Sequence, residues 1–270
     1  MIQQANTIKD YHACRTHVSR GMLADLHQRP RLFEGRYITG TIPGKEPTAA
    51  MKLGTMIHAL ALEGKRIAID PPAEHLTPSG KLSEKKATVE WVKEIEAGGY
   101  IVSDAETTER IERAAEAVKA YLASQKIDPE NGVVERPIYW ERADGIACRA
   151  MPDLLVGSRL CIDLKTTSDL SDRAISSACF GDFAYWLQVV HYLEGIKETY
   201  GYDANFVFVF VETERPYGVR AYSLSADDHA WAFGKRERLI EDLKRRTETG
   251  DWSDPEEGGI CEFKRPNWCK

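Results

Sequence analysis

The residues best suited to chemistry are two carboxylates and an amine on what read as neighbouring strands. Asp153 closes Met151-Pro152-Asp153, and Asp163 and Lys165 lie within Ile162-Asp163-Leu164-Lys165. Side chains alternate along a strand, so Asp163 and Lys165 share one face and Leu164 points to the other. Two carboxylates brought together repel unless a cation neutralises them, and hard oxygen donors of this kind suit Mg2+ or Mn2+. A lysine beside such an ion can hold the attacking water, or deprotonate it as the neutral amine, and as an ammonium can stabilise charge building on a phosphate. The pattern therefore points to phosphodiester hydrolysis. Taken alone, Asp-x-Lys also describes an ordinary exposed ion pair on a strand.

The elements that must position these groups follow from local pattern. Runs 133–140, 146–156 and 160–166 are strand-like and separated by turn signals at Ala143-Asp144-Gly145 and Gly157-Ser158, which predicts three consecutive antiparallel strands. A helix is expected over about 182–200, then an apolar strand at 205–211, a turn at Arg215-Pro216-Tyr217-Gly218 and a strand at 219–224. Residues 225–249 begin with Ser and acids and end in Lys and Arg, as a long closing helix should. The tail, 250–270, reads as irregular. Upstream, a short helical pattern after Ser19 (Met22, Leu23, Leu26) halts at Pro30, and a loop spans 35–47. Helical spacing then covers 49–62, a surface connection 70–83, and two amphipathic helices about 84–97 and 104–124.

Two further features align with the strand motif. His58 lies in a helix otherwise lined by small and apolar residues, where a histidine is commonly a hydrogen-bonded core residue. Tyr185, Gln188 and Tyr192 fall at i, i+3 and i+7, on one stripe of the helix after Asp-x-Lys.

Gly54-x-x-x-His58, Pro152-Asp153, Asp163-x-Lys165 and Gln188-x-x-x-Tyr192, in this order, resemble the RecB-type branch of the PD-(D/E)xK nuclease superfamily. Ser19, Leu23, Pro30-Arg31-Leu32-Phe33, the run 51–60, Met151-Pro152-Asp153-Leu154-Leu155, 162–167 and 183–192 narrow the likeness to RecE-like (exonuclease VIII) phage and prophage exonucleases, over nearly the whole chain.

The resemblance implies an α/β (α+β) fold: a central mixed sheet flanked by helices, with a helical N-terminal elaboration. It implies one exonuclease domain over 1–270, with a mainly helical part at 1–130, the catalytic sheet and helix at 131–225, and a closing helix and tail at 226–270. Carried over residue by residue, His58, Asp153 and Asp163, with the backbone carbonyl of Leu164, become metal ligands and Lys165 the catalytic lysine. Gln188 and Tyr192 would position the lysine, the water or the DNA backbone, and Glu135 and Tyr185 are candidates for supporting contacts. The implied reaction is Mg2+-dependent digestion of linear double-stranded DNA, 5′-to-3′, leaving 3′ single strands for a RecT-like annealing partner in recombination. Relatives close into rings around DNA, so a homo-oligomer is expected. The alternatives are an endonuclease or single-strand nuclease of the same superfamily, or a non-catalytic DNA-binding protein.

The whole-chain charge does not advertise such a substrate. The 270 residues carry 36 Lys and Arg against 42 Asp and Glu, a net charge of −6, which excludes a polybasic coat protein. Residues 1–60, however, hold eight basic and four acidic side chains. Ser19, Arg20 and Arg31, with Arg15, Arg29 and Arg36, are the candidates for gripping phosphates. Apolar residues make up 43%, enough for a sizeable core. The start lacks a basic region followed by an apolar run, which predicts a soluble, non-exported chain without a membrane partner, and the resemblance implies the cytoplasm of a bacterial host. Six cysteines without a CxxC pair read as reduced thiols. Cys14, Cys261 and Cys269 are one short of the four that hold an iron-sulfur cluster in a sister branch, so no cluster is expected.

Overall fold

In the computed structural model, residues 8–157, 159–181, 183–255 and 260 are described. Asp182, expected to start a helix, Ser158 of the second turn, and most of the tail, with Cys261 and Cys269, lie outside the described residues.

The N-terminal part contains α1 (Ile8–Ala13), α2 (Arg20–Gln28) and α3 (Pro30–Phe33). Ser19 caps α2, its hydroxyl accepting from the Met22 amide at 3.3 Å. Pro30 does not end the helical path. It opens α3 in the first turn, where its missing N–H has no partner to lose. A π-helical turn, Glu34–Ile38, follows, so the loop expected from Gly35 begins later. Next come α4 (Ala49–Leu62), β1 (Ala68–Ile69), α5 (Lys86–Ala97), β2 (Ile101–Val102) and α6 (Ala105–Ser124). β1 and β2 pair in parallel as a small sheet that periodicity did not reveal.

The first two of the three expected strands are each corrected to two shorter ones, β3 (Gly132–Val134) with β4 (Ile138–Glu141) and β5 (Ala147–Ala150) with β6 (Leu154–Val156), and the third runs as β7 (Leu160–Thr167). The first two runs each break where a proline removes a ladder donor, at Pro137 and Pro152. At these bends the hairpin leaves the main sheet, and β4 and β5 pair separately. Glu135, at the first bend, has φ of 44°, a left-handed conformation costly for a non-glycine residue.

A helix absent from the sequence reading, α7 (Asp172–Phe180), precedes α8 (Tyr185–Tyr200), β8 (Asn205–Glu212), β9 (Val219–Tyr222) and α9 (Ala226–Thr249). The main sheet runs β3-β6-β7-β8-β9 and is mixed, since β7 and β8 are parallel and the other pairs antiparallel. On one face Ile162, Leu164 and Val209 pack with Ile57 of α4 and Val118 of α6. On the other, Cys161, Phe206 and Phe208 meet Val189 and Ile196 of α8 and Trp140 of β4. Gly195 lets α8 approach this closely, for a Cβ there would lie 2.5 Å from the Trp140 ring. A third cluster docks Leu23 and Leu26 of α2 against Trp186 of α8 and Ile240 of α9.

A buried ion network joins β4, α8 and α9. Arg236, 0% exposed, donates to the Val190 carbonyl at 2.9 Å and to Glu194 at 2.7 Å. Glu194 also accepts from Trp140 Nε1 at 3.1 Å and from Arg142, which reaches on to Glu237 at 2.7 Å.

His191 is buried on α8, with Nε2 3.1 Å from the Arg149 carbonyl. Burial, then the Arg236 charge, pushes its pKa down to about 3. The unfolded imidazole takes a proton near pH 6.5 and the folded one does not. Stability is therefore full above that pH and falls as pH drops through the window from 6.5 toward 3. Between pH 7 and pH 5 this group should remove about 2 kcal/mol. Denaturant titrations at the two pH values check it: His191→Gln should shrink the difference by about that amount, and an unchanged difference refutes the assignment.

Among the described residues no helix is long and apolar enough to cross a membrane.

Candidate active site

β6 ends its pairing at Leu154 opposite Ile162, while β7 runs on to Thr167. Pro152 and the bend take the chain away, leaving the backbone of β7 from Asp163 onward without a partner strand on that side. Side chains satisfy it instead. The Leu164 amide donates to Asp153 Oδ2 at 2.8 Å, and the Leu164 carbonyl lies 2.7 Å from His58 Nε2. α4 can come this close because Gly54, one turn before His58, leaves room for Thr166: a Cβ there would stand 3.2 Å from its hydroxyl. Gly-x-x-x-His thus joins a packing surface and the histidine that meets the Leu164 carbonyl on one helix face.

Asp163, 1% exposed, points to the α8 side with Lys165. Gln188 donates to its Oδ2, and the Lys165 ammonium pairs with its Oδ1. Tyr185 lies over Lys165, ring centroid 4.8 Å from Nζ. Burial opposes the charge on Lys165, but the Asp163 and Asp153 carboxylates outweigh it and raise its pKa. Burial and the neighbouring Asp163 charge raise the Asp153 carboxyl well above the usual range. Burial lowers the His58 pKa, which keeps its imidazole neutral. Glu135 continues the β3–β6 ladder, its amide donating to the Asp153 carbonyl at 3.1 Å. Its carboxyl is raised by burial, then by Glu63 and Asp153. Glu63, at the end of α4 and 2.5 Å from Lys65, had no signal in the sequence reading beyond lying five residues after His58.

The donor set suits a hard divalent cation in kind: the buried Asp163 carboxylate, the partly buried Asp153 carboxylate, a neutral imidazole and a carbonyl. His58 Nε2 and the Leu164 oxygen, 2.7 Å apart, are close to the about 2.9 Å between adjacent ligands of an octahedral ion with 2.1 Å bonds. His58 Nδ1 is 3.5 Å from Asp153 Oδ2. Among the described residues no three His, Cys, Asp or Glu side chains are already gathered as a ligand set. Lys165 supplies the positive charge at Asp163.

The stripe on α8 divides its tasks. Tyr185 covers Lys165, Gln188 holds Asp163, and Tyr192 packs edge-on against Phe206 at 6.2 Å. No hydrogen bond joins Tyr192 to Asp153, Asp163 or Lys165 among the described residues. Burial, then Tyr11, Asp163 and Asp153, raises its phenol well above the usual value.

Beside the site opens a cavity of about 870 Å3, lined by Arg15, Arg20, Arg36, Lys45, Asp25 and Phe183 among others. Asp25 is neutralised within it, accepting two 2.7 Å bonds from Arg36 and one of 2.7 Å from the Tyr37 hydroxyl. Arg20 connects cavity and site: its guanidinium lies 5.5 Å from the Tyr185 ring centroid and donates to the Phe183 carbonyl. The other basic candidates are engaged elsewhere. Arg31 pairs with Glu34 at 3.4 Å and its amide donates to Asp254 at 3.2 Å, Arg29 pairs with Asp254 at 2.6 Å, and the Ser19 hydroxyl is used as a cap. Cys14, Cys148, Cys161 and Cys179 are free thiols.

Residues 36–267 match the family described as a PDDEXK-like domain of unknown function (DUF3799). A crystal structure from Eubacterium rectale, provisionally described as an exonuclease, aligns with a TM-score of 0.64 at 15% identity, covering 97% of this chain and 96% of that one. At that identity the likeness speaks to fold. An alkaline exonuclease from Laribacter hongkongensis covers 72% of this chain and 98% of its own at 15% identity, but its TM-score of 0.27 carries no weight. No curated protein matches the chain in sequence. With a matching mixed sheet and flanking helices, and a family match over most of its length, the chain belongs to the PDDEXK-like family and has its nuclease fold.

Proposed function

We propose that the chain is a Mg2+-dependent exodeoxyribonuclease that digests linear double-stranded DNA 5′-to-3′ and leaves 3′ single strands. The observation that carries the nuclease reading is the open edge of β7, where Asp153 and His58 converge on Leu164 beside Asp163 and Lys165. His58, Asp153, Asp163 and the Leu164 carbonyl would hold the ion, with Mn2+ able to substitute. When bound, it supplies Lewis acidity at the scissile phosphate and at the attacking water. Lys165 holds that water and offsets charge on the phosphate. Gln188 fixes Asp163, Tyr185 confines the lysine, Tyr192 backs the α8 stripe, and Glu135 supports Asp153 through the backbone. Arg20 and the cleft take the DNA backbone.

The resemblance to RecE-like exonucleases supports the polarity, the ring-shaped homo-oligomer, the RecT-like annealing partner in recombination and action in the bacterial cytoplasm. It also supports one functional domain over 1–270.

Purified protein given linear and covalently closed circular duplexes, with Mg2+ or with chelator, tests this. Nucleotides should be released from the linear form only and with Mg2+ only. Cleavage of the circle would make it an endonuclease, and release without a divalent ion would end the proposal. Gln188→Ala should slow turnover about tenfold to a hundredfold, as loss of a group that orients a ligand does. A single-turnover rate equal to wild type would remove Gln188 from that role.

A further inference from the structure

Phe183 is a large aromatic side chain left 57% exposed, at the junction of the basic cleft and the lysine. Its ring stacks on Tyr185, with centroids 5.4 Å apart and planes 15° from parallel. Tyr185 in turn meets Lys165 at 4.8 Å and Arg20 at 5.5 Å. The backbone that presents Phe183 is held in two ways. Its carbonyl accepts from Arg20, and the next residue, Ala184, adopts φ of 46°, a left-handed turn that only surrounding structure sustains in a non-glycine residue. An exposed ring on a fixed and strained turn is poorly explained as core packing. An aromatic face beside cationic side chains is the arrangement that holds unpaired nucleic acid, the cations taking phosphates and the ring a base.

We infer that Phe183 is a nucleobase platform: the unpaired terminal base of the strand being cut stacks on its ring while the adjoining phosphates follow Arg20 into the cleft. This rests on the nuclease reading and adds to it a requirement for a base, beyond the backbone, next to the scissile bond. The charge suits the occupant, since Arg15, Arg20, Arg36 and Lys45 face a single carboxylate, Asp25, among the described lining residues. Stacking is indifferent to base identity, so the platform would act on any sequence.

The test is a cycle in which the base and the ring are removed separately. Binding of a linear duplex with intact ends, and of duplexes made abasic at the 5′ or the 3′ terminal position, is measured with Ca2+ in place of Mg2+. Wild type, Phe183→Ala and Phe183→Trp are compared. Removing the base at one terminus should weaken wild-type binding about tenfold. Phe183→Ala should bind intact ends about tenfold more weakly and be indifferent to the missing base, and Phe183→Trp should restore the discrimination. A wild type that cuts linear DNA yet ignores the missing base at both termini overturns the platform and leaves the nuclease reading standing. So does a Phe183→Ala protein that keeps the wild-type ratio, or one whose oligomeric mass changes instead, which would make Phe183 an interface between copies. A wild type that neither binds nor cuts DNA ends both.

Discussion

Lys165→Ala should cut duplex DNA about 10²–10³-fold more slowly than wild type, the loss typical of deleting one preorganised group aimed at developing charge. The loss should fall on the bound complex. Lys165 pairs with Asp163 and lies under Tyr185, a position from which it acts on water and phosphate and not on distant DNA. Removing it also removes the positive charge that holds Asp153 and Asp163 together. The variant should therefore bind Mg2+ at least as well as wild type, which calorimetry reads, while Asp163→Ala should lose metal affinity and rate together. Lys165→Arg should not rescue, because a planar guanidinium neither fits a single carboxylate oxygen in the same way nor gives up a proton. If Lys165→Ala stays within about threefold of wild type, the lysine is no more than an ion-pair partner.

Glu194→Ala should be the most destabilising simple truncation, by about 3–5 kcal/mol. Glu194 accepts from Arg236, Arg142 and Trp140, and Arg236 has no exposed surface through which water could replace the lost charge. Glu237 and the Val190 carbonyl remain to Arg236, which is why the loss stays within that range. For a chain of this size it corresponds to a fall in Tm of about ten degrees. Denaturant unfolding decides the matter, and a loss below about 1 kcal/mol would mean the network is redundant. The pair Glu194→Leu with Arg236→Met should recover much of the loss, since replacing both charges removes the desolvation penalty as well as the attraction.

What was legible in the sequence depended on which signals were local. α4 runs over the residues that helical spacing marks, and Asp104 and Ser225 cap α6 and α9 through side chains visible as cap residues. The mixed sheet follows from the family likeness and the strand runs. α7 escaped because only Ile175 and Cys179 of its nine residues are buried, too few for a period to register, although Ser171 was there as its cap. The two broken strands read as continuous because alternation survives a bend, and Pro152, which causes one of the two breaks, also belongs to the Pro-Asp motif. The structure brings His58, Asp153, Asp163, Lys165 and Gln188 to one place. It also shows what spacing could not, that Arg20 and Phe183, about 160 residues apart in sequence, meet at Tyr185. Glu63 gave no signal for a like reason: its bonded neighbour, Lys65, is local, but Glu135, whose carboxyl it raises, lies far along the chain.

The unpaired side of β7 has a second consequence. A strand edge with free amides and carbonyls is a template on which another chain can add a strand, and folded proteins must cover such edges to stay dispersed. Here the cover is His58, Asp153 and the close pass of α4 at Gly54, the same groups proposed to hold the ion. On that proposal, colloidal behaviour and turnover are tied to one set of atoms. Changes that empty this edge will be felt in solubility as well as in rate, and selection on either property acts on the other.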